Sequence, residues 1–277
     1  MDSITLKSWG EFRGALETVQ KQYGTFEVPL QDGTVYRRKN WVLFRGQSDG
    51  TWGLQTTLER NSDRQFDVLK YLALATNGVT EIESLTGQRW DTKYPRDLKE
   101  EIDTHSDSCR VHLPHYDYLV YLRQLGFPSP LLDWTESPYI AAYFAYLDAR
   151  RTGNVAVYCY IERIASGKTY SGGEPLITVK GPYVRTHPRH FAQKAQYTIA
   201  TNFNSKENSH YFCSHELVFG KQAKQQDVLV KIELPADARK TALEELNNYN
   251  INHFTLFQTH ESLVKTLELK AFILGQL

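Results

Sequence analysis

The sequence predicts an α+β fold, and three observations carry that prediction. Apolar residues recur at helical spacing through much of the first 150 residues, β-branched and aromatic runs of strand length dominate the second half, and no internal repeat or low-complexity linker divides the chain. With 277 residues, 41% of them hydrophobic and 13% aromatic, there is ample material for a packed core in one unit with insertions. A single domain over residues 1–277 is expected, with 1–40 as an N-terminal helical extension and 84–110 as an exposed insertion.

Residues 3–24 read as a helix, because Ser8 precedes Glu11 by three positions in a capping-box pattern and Phe12, Leu16 and Val19 share one face. Gly24 ends it. An apolar strand follows at 41–45, and Asp49-Gly50 marks a tight turn into a short strand at 52–54. Residues 57–83 read as helix, with Leu58, Phe66, Leu69, Leu72 and Leu74 as core candidates. The polar stretch 84–110 has too few apolar residues for a core face. Helix resumes at 116–124, and Gly126 to Pro130 form a rigid turn into a strand at 131–133, followed by a helix at 138–150. Later strands are expected at 155–161, 176–179, 197–200, 217–219, 228–234 and 254–257, with helices at 236–246 and 262–269.

A formal net charge of zero argues against a protein that holds nucleic acid through a global positive field, which leaves local patches. Arg37-Arg38-Lys39 is one; Arg185, Arg189, Lys221 and Lys224 are another. Such runs are more often solvated faces or turns, and several lining one cleft would bind phosphates of NAD or of a polynucleotide. No apolar run reaches the length needed to cross a bilayer, the opening residues lack an export-signal pattern, and three cysteines leave an odd thiol in any pairing. These features point to a cytoplasmic protein with no membrane partner.

Two stretches concentrate the chemistry. In the first, the apolar run from Trp41 stops at Arg45 and Gly46, which puts a charged fork at a strand end where glycine lets a ligand approach the backbone. In the second, the run through Leu131 and Leu132 stops at Asp133-Trp134-Thr135, and Ser137-Pro138 opens a helix of small and aromatic residues. Phe44-Arg45-Gly46, Gly126-Phe127-Pro128, the stretch from Leu131 to Thr135 and Ser137-Pro138 resemble the FRG domain family, named for the first triplet. Looser similarity continues through residues 192–198, Ser214-His215-Glu216 and residues 231–235. Leu125 and Pro130 stand where the family frequently has His and Arg.

That family in turn resembles a divergent branch of the ADP-ribosyltransferase superfamily, which implies a split mixed β-sheet core carrying N-terminal and inserted helices, and NAD as co-substrate with no metal. The resemblance implies Arg45 as the grip on the dinucleotide. It gives Thr135 and Ser137 as walls of the nicotinamide pocket, and a late Glu to polarise the ribose. Glu216 is the preferred carboxylate, with Glu261 the alternative; the amide of Gln193 can orient substrate but carries no charge. Tyr139 and Tyr143, one helical turn apart, can stack on nicotinamide or simply face the core. Gly46 belongs to the same set through close backbone approach. His215 is a candidate to assist proton removal from an acceptor. The resemblance further implies a toxin of a toxin–antitoxin or anti-phage system, an RNA acceptor in preference to DNA or protein, and an antitoxin protein as partner. A non-catalytic module binding nucleotide or nucleic acid is the competing reading. A metal site at His105, Cys109, His112 and His115 is a third, and the sequence has no Gly-x-Ser-x-Gly elbow for a serine hydrolase.

Overall fold

The structure, a computed structural model, describes residues 2–93, 95–107, 110–162, 173–181, 184, 188–221 and 227–276. In chain order, β1 is Asp2–Thr5, α1 Phe12–Tyr23 after a 3-10 turn, β2 Thr25–Pro29, β3 Val35–Lys39 and β4 Val42–Gln47. The helices α2 (Thr57–Asn61), α3 (Val68–Thr76), α4 (Val79–Thr86), α5 (Pro95–His105) and α6 (Tyr116–Gln124) follow. Next come β5 (Leu132–Thr135), α7 (Pro138–Leu147), β6 (Asn154–Glu162), β7 (Leu176–Lys180), α8 (Arg189–Ala192), β8 (Ala195–Asn204) and β9 (Ser209–Phe212). The chain continues through α9 (His215–Lys221), β10 (Asp227–Pro235), α10 (Arg239–Asn248), α11 (His253–Phe257) and α12 (His260–Glu268), which runs into a π-helical turn at Leu269–Leu274. No helix among the described residues is long and apolar enough to cross a membrane.

Seven strands run in the order β1-β10-β6-β4-β5-β8-β7, with β9 paired to β8 and a separate β2–β3 hairpin. Among the described residues only β1 with β10 is parallel. The mixed sheet with flanking helices makes this an α+β fold. At its centre β4 pairs with β6 over six residues, whereas β4 and β5 share the single pair Phe44↔Thr135. Beyond that pair the two strands part.

Side chains alternate faces along a strand, so the register decides what lies beside what. Phe44 faces the same side as its partner Thr135, Thr135 the same side as Asp133, and Asp133 the same side as its partner Tyr197. Phe44 belongs to an apolar cluster built by α1, α7, α10 and the Val155, Val157 and Cys159 side of β6. Tyr197 belongs to a second cluster, built by α3, α5 and α6. Two helical groups therefore cover one face of one sheet, and their seam lies over the parting of β4 and β5. The opposite face carries a third cluster, with Leu43, Trp134, Tyr158, Tyr160 and Val218 of α9.

Local chemistry explains the elements. Ser137 Oγ accepts from Ile140 N at 3.4 Å and Pro138 occupies the first turn of α7, whose small residues Ala141, Ala142 and Ala145 are fully buried. Thr56 and Glu59 form a capping box at α2, Asp67 Oδ1 accepts from Lys70 N at 2.9 Å at α3, and Gly87 ends α4 at φ +72°.

Several expectations are corrected. Helix begins only at Phe12, because Asp2–Thr5 pair with Val230–Glu233 at the sheet edge, and residues 25–39 form the β2–β3 hairpin instead of a helical extension. Residues 52–54 are not a strand. The helix expected over 57–83 is three helices, interrupted before the Asp67 cap and at Gly78, and Leu74 is 57% exposed. The stretch 84–110 holds α5, whose Leu98 and Ile102 are buried in the second cluster, so it is packed rather than merely exposed. Residues 217–219 lie in α9, and 254–257 lie in α11, which Asn252 and Thr255 cap reciprocally; the capping box outweighs the β propensity of the Phe-Thr-Leu-Phe run.

Candidate functional site

The seam holds a cavity of about 520 Å³. Its floor is the parted strand pair, with Phe44, Arg45 and Gly46 on β4 and Asp133, Trp134 and Thr135 on β5. Ala141 and Phe144 of α7 and Phe257 of α11 give it an apolar wall, and Arg123, Gln124, Arg189 and Gln193 add polar groups to the lining. Arg60 and Asp148 also line it.

Gly46 is here for a packing reason. A Cβ on it would sit 1.9 Å from Ala141 O and 2.6 Å from Ala145 N, so the backbone that makes the close approach is that of α7. The close approach expected of a ligand at this glycine is made by the protein's own helix.

Arg45 points to the face of Leu43 and reaches into the parting, where its Nη1 donates to Asp133 O at 2.9 Å and stands 3.9 Å from the Asp133 carboxylate. The same carboxylate is in close contact with Arg123 Nη2. The Nε atoms of Arg45 and Arg123 are both buried with no hydrogen-bond partner among the described residues. Burial pushes the Arg45 guanidinium down to about 10; Asp133 opposes the shift, and the charges of Arg123 and Arg60 add to it. Arg189 donates to the side chain and main-chain carbonyl of Gln124, and burial lowers its pKa as well. Arg60 donates to Gln55 O at 2.9 Å and, among the described residues, has no carboxylate within ion-pair distance. The lining thus sets four guanidinium groups against two carboxylates, in a chain with no net charge. Partly desolvated cations in excess over carboxylates are what an anion site requires.

The structure brings together Arg45, Gly46, Thr135 and Gln193 of the residues nominated from sequence. The Thr135 hydroxyl donates to Gln193 O at 2.7 Å and accepts from Ser137 N at 3.1 Å, so it ties β5 to the α8 turn. Gln193 Nε2 donates to Leu256 O at 3.1 Å, linking that turn to α11.

The other nominees lie outside the lining. Ser137 caps α7, Tyr139 packs edge-on against Phe12 and Tyr249, and the buried Tyr143 hydroxyl lies 3.3 Å from His253 Nδ1. Glu216 sits in the first turn of α9, where its Oε1 accepts from Leu54 N at 3.0 Å. Glu261 is exposed in the first turn of α12. Tyr158, opposite Arg45 in the β4–β6 register, links the two regions: burial pushes its hydroxyl up to about 12, the Glu216 and Glu233 charges add to the shift, and Arg45 opposes it.

His215 is fully buried and faces the Arg45 side of the sheet. Trp134 Nε1 donates to Thr198 Oγ1 at 2.8 Å, and the Thr198 hydroxyl lies 2.8 Å from His215 Nε2. Burial first, and the Arg45 charge second, push His215 down to about 3, so its ring is neutral. Of the histidines nominated for metal, His105 Nδ1 is 3.0 Å from Glu101 O, His112 Nε2 is 2.9 Å from Glu101 Oε1, and His115 Nε2 accepts from Lys93 N at 3.1 Å. Cys109 lies outside the described residues, as do Arg185 and Lys224. Among the described residues no group of three or more His, Cys, Asp or Glu is arranged to hold a metal ion.

Sequence reasoning missed Arg60 and Arg123. Each is a basic residue in the last turn of a short helix, a position that looks like an ordinary complement to the helix dipole.

Residues 40–153 match the FRG domain family. That stretch supplies Arg45, Arg60, Arg123 and Asp133, while Arg189, Gln193 and Phe257 come from beyond it. No curated protein and no solved structure matches the chain.

Proposed function

We propose that the cavity binds NAD and that the chain is a mono-ADP-ribosyltransferase acting on nucleic acid, RNA in preference to DNA or protein. One observation carries the nucleotide half of this reading: the excess of guanidinium over carboxylate in a cavity of about 520 Å³ at the parting of β4 and β5. A cavity of this size is ordinary for a cofactor, and its apolar wall offers Phe144 and Phe257 to a flat ring. The sheet that splits at one residue pair also suits the transferase resemblance of the Phe-Arg-Gly and Asp-Trp-Thr motifs.

In this reading Arg45 and Arg123 hold the pyrophosphate. Thr135 shapes the wall by fixing the α8 turn, and Gln193 faces the carboxamide. The bond from ribose C1′ to the nicotinamide nitrogen breaks with its electron pair going to the nitrogen, which turns the cationic ring into neutral nicotinamide. A nucleobase amine attacks C1′ and gives up its proton, so charge balances without a metal. Negative charge beside the oxocarbenium-like carbon accelerates the step, and Glu216 is the group proposed to supply it. A setting in toxin–antitoxin or phage defence, with a restraining antitoxin protein in the cytoplasm, goes with the same proposal.

A non-catalytic nucleotide-binding module is the second reading, and the placement of Glu216 favours it. Its carboxylate is bonded to Leu54 N and lies outside the cavity lining. The deciding experiment follows label from adenylate-labelled NAD into acid-insoluble material of a bacterial extract, with Arg45→Lys and Glu216→Gln alongside the unaltered protein. Label released by RNase supports RNA modification, and label released only by protease moves the acceptor to protein. Tight NAD binding with no incorporation sinks the transferase reading and leaves the binding module. Incorporation that survives Glu216→Gln removes Glu216 from the mechanism.

A further inference from the structure

The four guanidinium groups of the cavity differ in how the protein holds them. Arg45 and Arg123 converge on Asp133, which fixes both and offsets part of their charge. Arg189 is tied to Gln124. Arg60 stands on the exposed last turn of α2, bonded among the described residues only to a neutral carbonyl, and its charge is felt at Arg45. The cavity thus has an inner cationic wall built before any ligand arrives and one cation at its rim with no anionic partner among the described residues.

We infer that Arg60 is a specificity-determining residue that lets the cavity distinguish a diphosphate from a monophosphate. The inference rests on the nucleotide reading of the cavity and is independent of whether ADP-ribose is transferred. A single phosphoryl group is met by the inner wall, where the guanidinium groups of Arg45 and Arg123 both line the cavity. A second phosphoryl group joined to it by a bridging oxygen extends towards the rim, where Arg60 supplies a forked pair of donors. Monophosphate and diphosphate therefore share Arg45 and Arg123, and only the diphosphate engages Arg60. The placement is also economical in entropy, because α2 is already fixed by the reciprocal Thr56–Glu59 cap and only the Arg60 side chain is ordered on binding.

The test is calorimetric binding of ADP-ribose, inorganic pyrophosphate and AMP to the full chain, with Arg60→Ala, Arg60→Lys and, as a control for the long-range field, Arg64→Ala. Arg64 lies outside the cavity lining. Arg60 is exposed, so its removal leaves the core intact. The expected result is a loss of about tenfold for ADP-ribose and pyrophosphate in Arg60→Ala and a change below about twofold for AMP. Arg60→Lys recovers only part of the loss, and Arg64→Ala changes none of the three. Equal losses for AMP and ADP-ribose overturn the inference, as does no loss for either, or failure of all three ligands to bind. ADP-ribose binding that shows the Arg60 dependence, in a protein that transfers nothing from NAD, sinks the transferase reading and leaves this one standing.

Discussion

Gly46→Ala is the sharpest test of how the cavity is built. The added methyl carbon would start 1.9 Å from Ala141 O and 2.6 Å from Ala145 N, and both atoms belong to the backbone of α7. No side chain can swing away to make room. Restoring ordinary contact near 3.5 Å requires α7 to retreat from β4 by roughly 1.5 Å. That retreat loosens the layer formed by Phe44 with Ala141, Ala142 and Ala145, three of which are fully buried. Overpacking against yielding neighbours costs about 1–3 kcal/mol, and a helix backbone does not yield, so a loss of about 3 kcal/mol or more is expected. For a chain of this size that corresponds to a fall of roughly 6–12 °C in Tm. Urea unfolding followed by far-UV circular dichroism measures it, with Gly14→Ala as the matched control. Gly14 lies within α1, where an added Cβ meets nothing within 4 Å, so the control should gain about 0.5–1 kcal/mol. A Gly46→Ala protein within about 0.5 kcal/mol of the unaltered one would refute the close approach of α7.

Three further predictions concern the polar framework. His215 ionises at about 3 when folded and near 6.5 when exposed, so the unfolded chain binds the extra proton and stability falls as pH drops through that interval. Between pH 7 and 4.5 the stability difference between the unaltered protein and His215→Gln should shift by about 2.5 kcal/mol, read from urea midpoints, and a pH-independent difference removes His215 as the source. Thr135→Val leaves Gln193 O and Ser137 N without their hydroxyl partner; it should cost about 1–3 kcal/mol and weaken ADP-ribose binding measured by calorimetry. Ser137→Ala removes only the α7 cap, so about 1 kcal/mol of stability should go while ADP-ribose affinity holds. Equal effects of these two substitutions on affinity would contradict the separation of cap from cavity wall.

How far the sequence could be read depended on how local each determinant is. The strand at Asn154–Glu162 and the helix at Pro138–Leu147 announce themselves, one through a β-branched and aromatic run and the other through Ser-Pro followed by small residues. Arg45 was legible for a similar reason, since a charge that ends an apolar run is conspicuous. Asp2–Thr5 was not, because four short residues carry no periodic signal and their partner lies more than 220 residues away. The short helix at His253–Phe257 was misread because its alternating pattern suits a strand, and the Asn252–Thr255 cap that decides the matter is easy to overlook. Arg60 and Arg123 become site residues only when two helices meet over the seam, which no local pattern records. Asp133 was visible as the end of a run, but its part in holding two arginines together depends on the strand parting.

The strand order carries a consequence for how the chain comes to be folded. β6 finds β4 already made on one side, while its other edge waits for β10, which is separated from it by residues 163–226. Synthesis of that interval takes roughly 3–13 s at a rate of about 5–20 residues per second. Throughout, Val155, Val157, Tyr158 and Ile161 sit on a strand with open hydrogen-bonding groups, a template for pairing with any other nascent chain in the same condition. β1, first off the ribosome, cannot help, because it docks on β10 itself. Recovery of native protein is accordingly a race between elongation and association, and slower expression at lower chain concentration favours the native side by thinning out neighbouring chains with the same open edge.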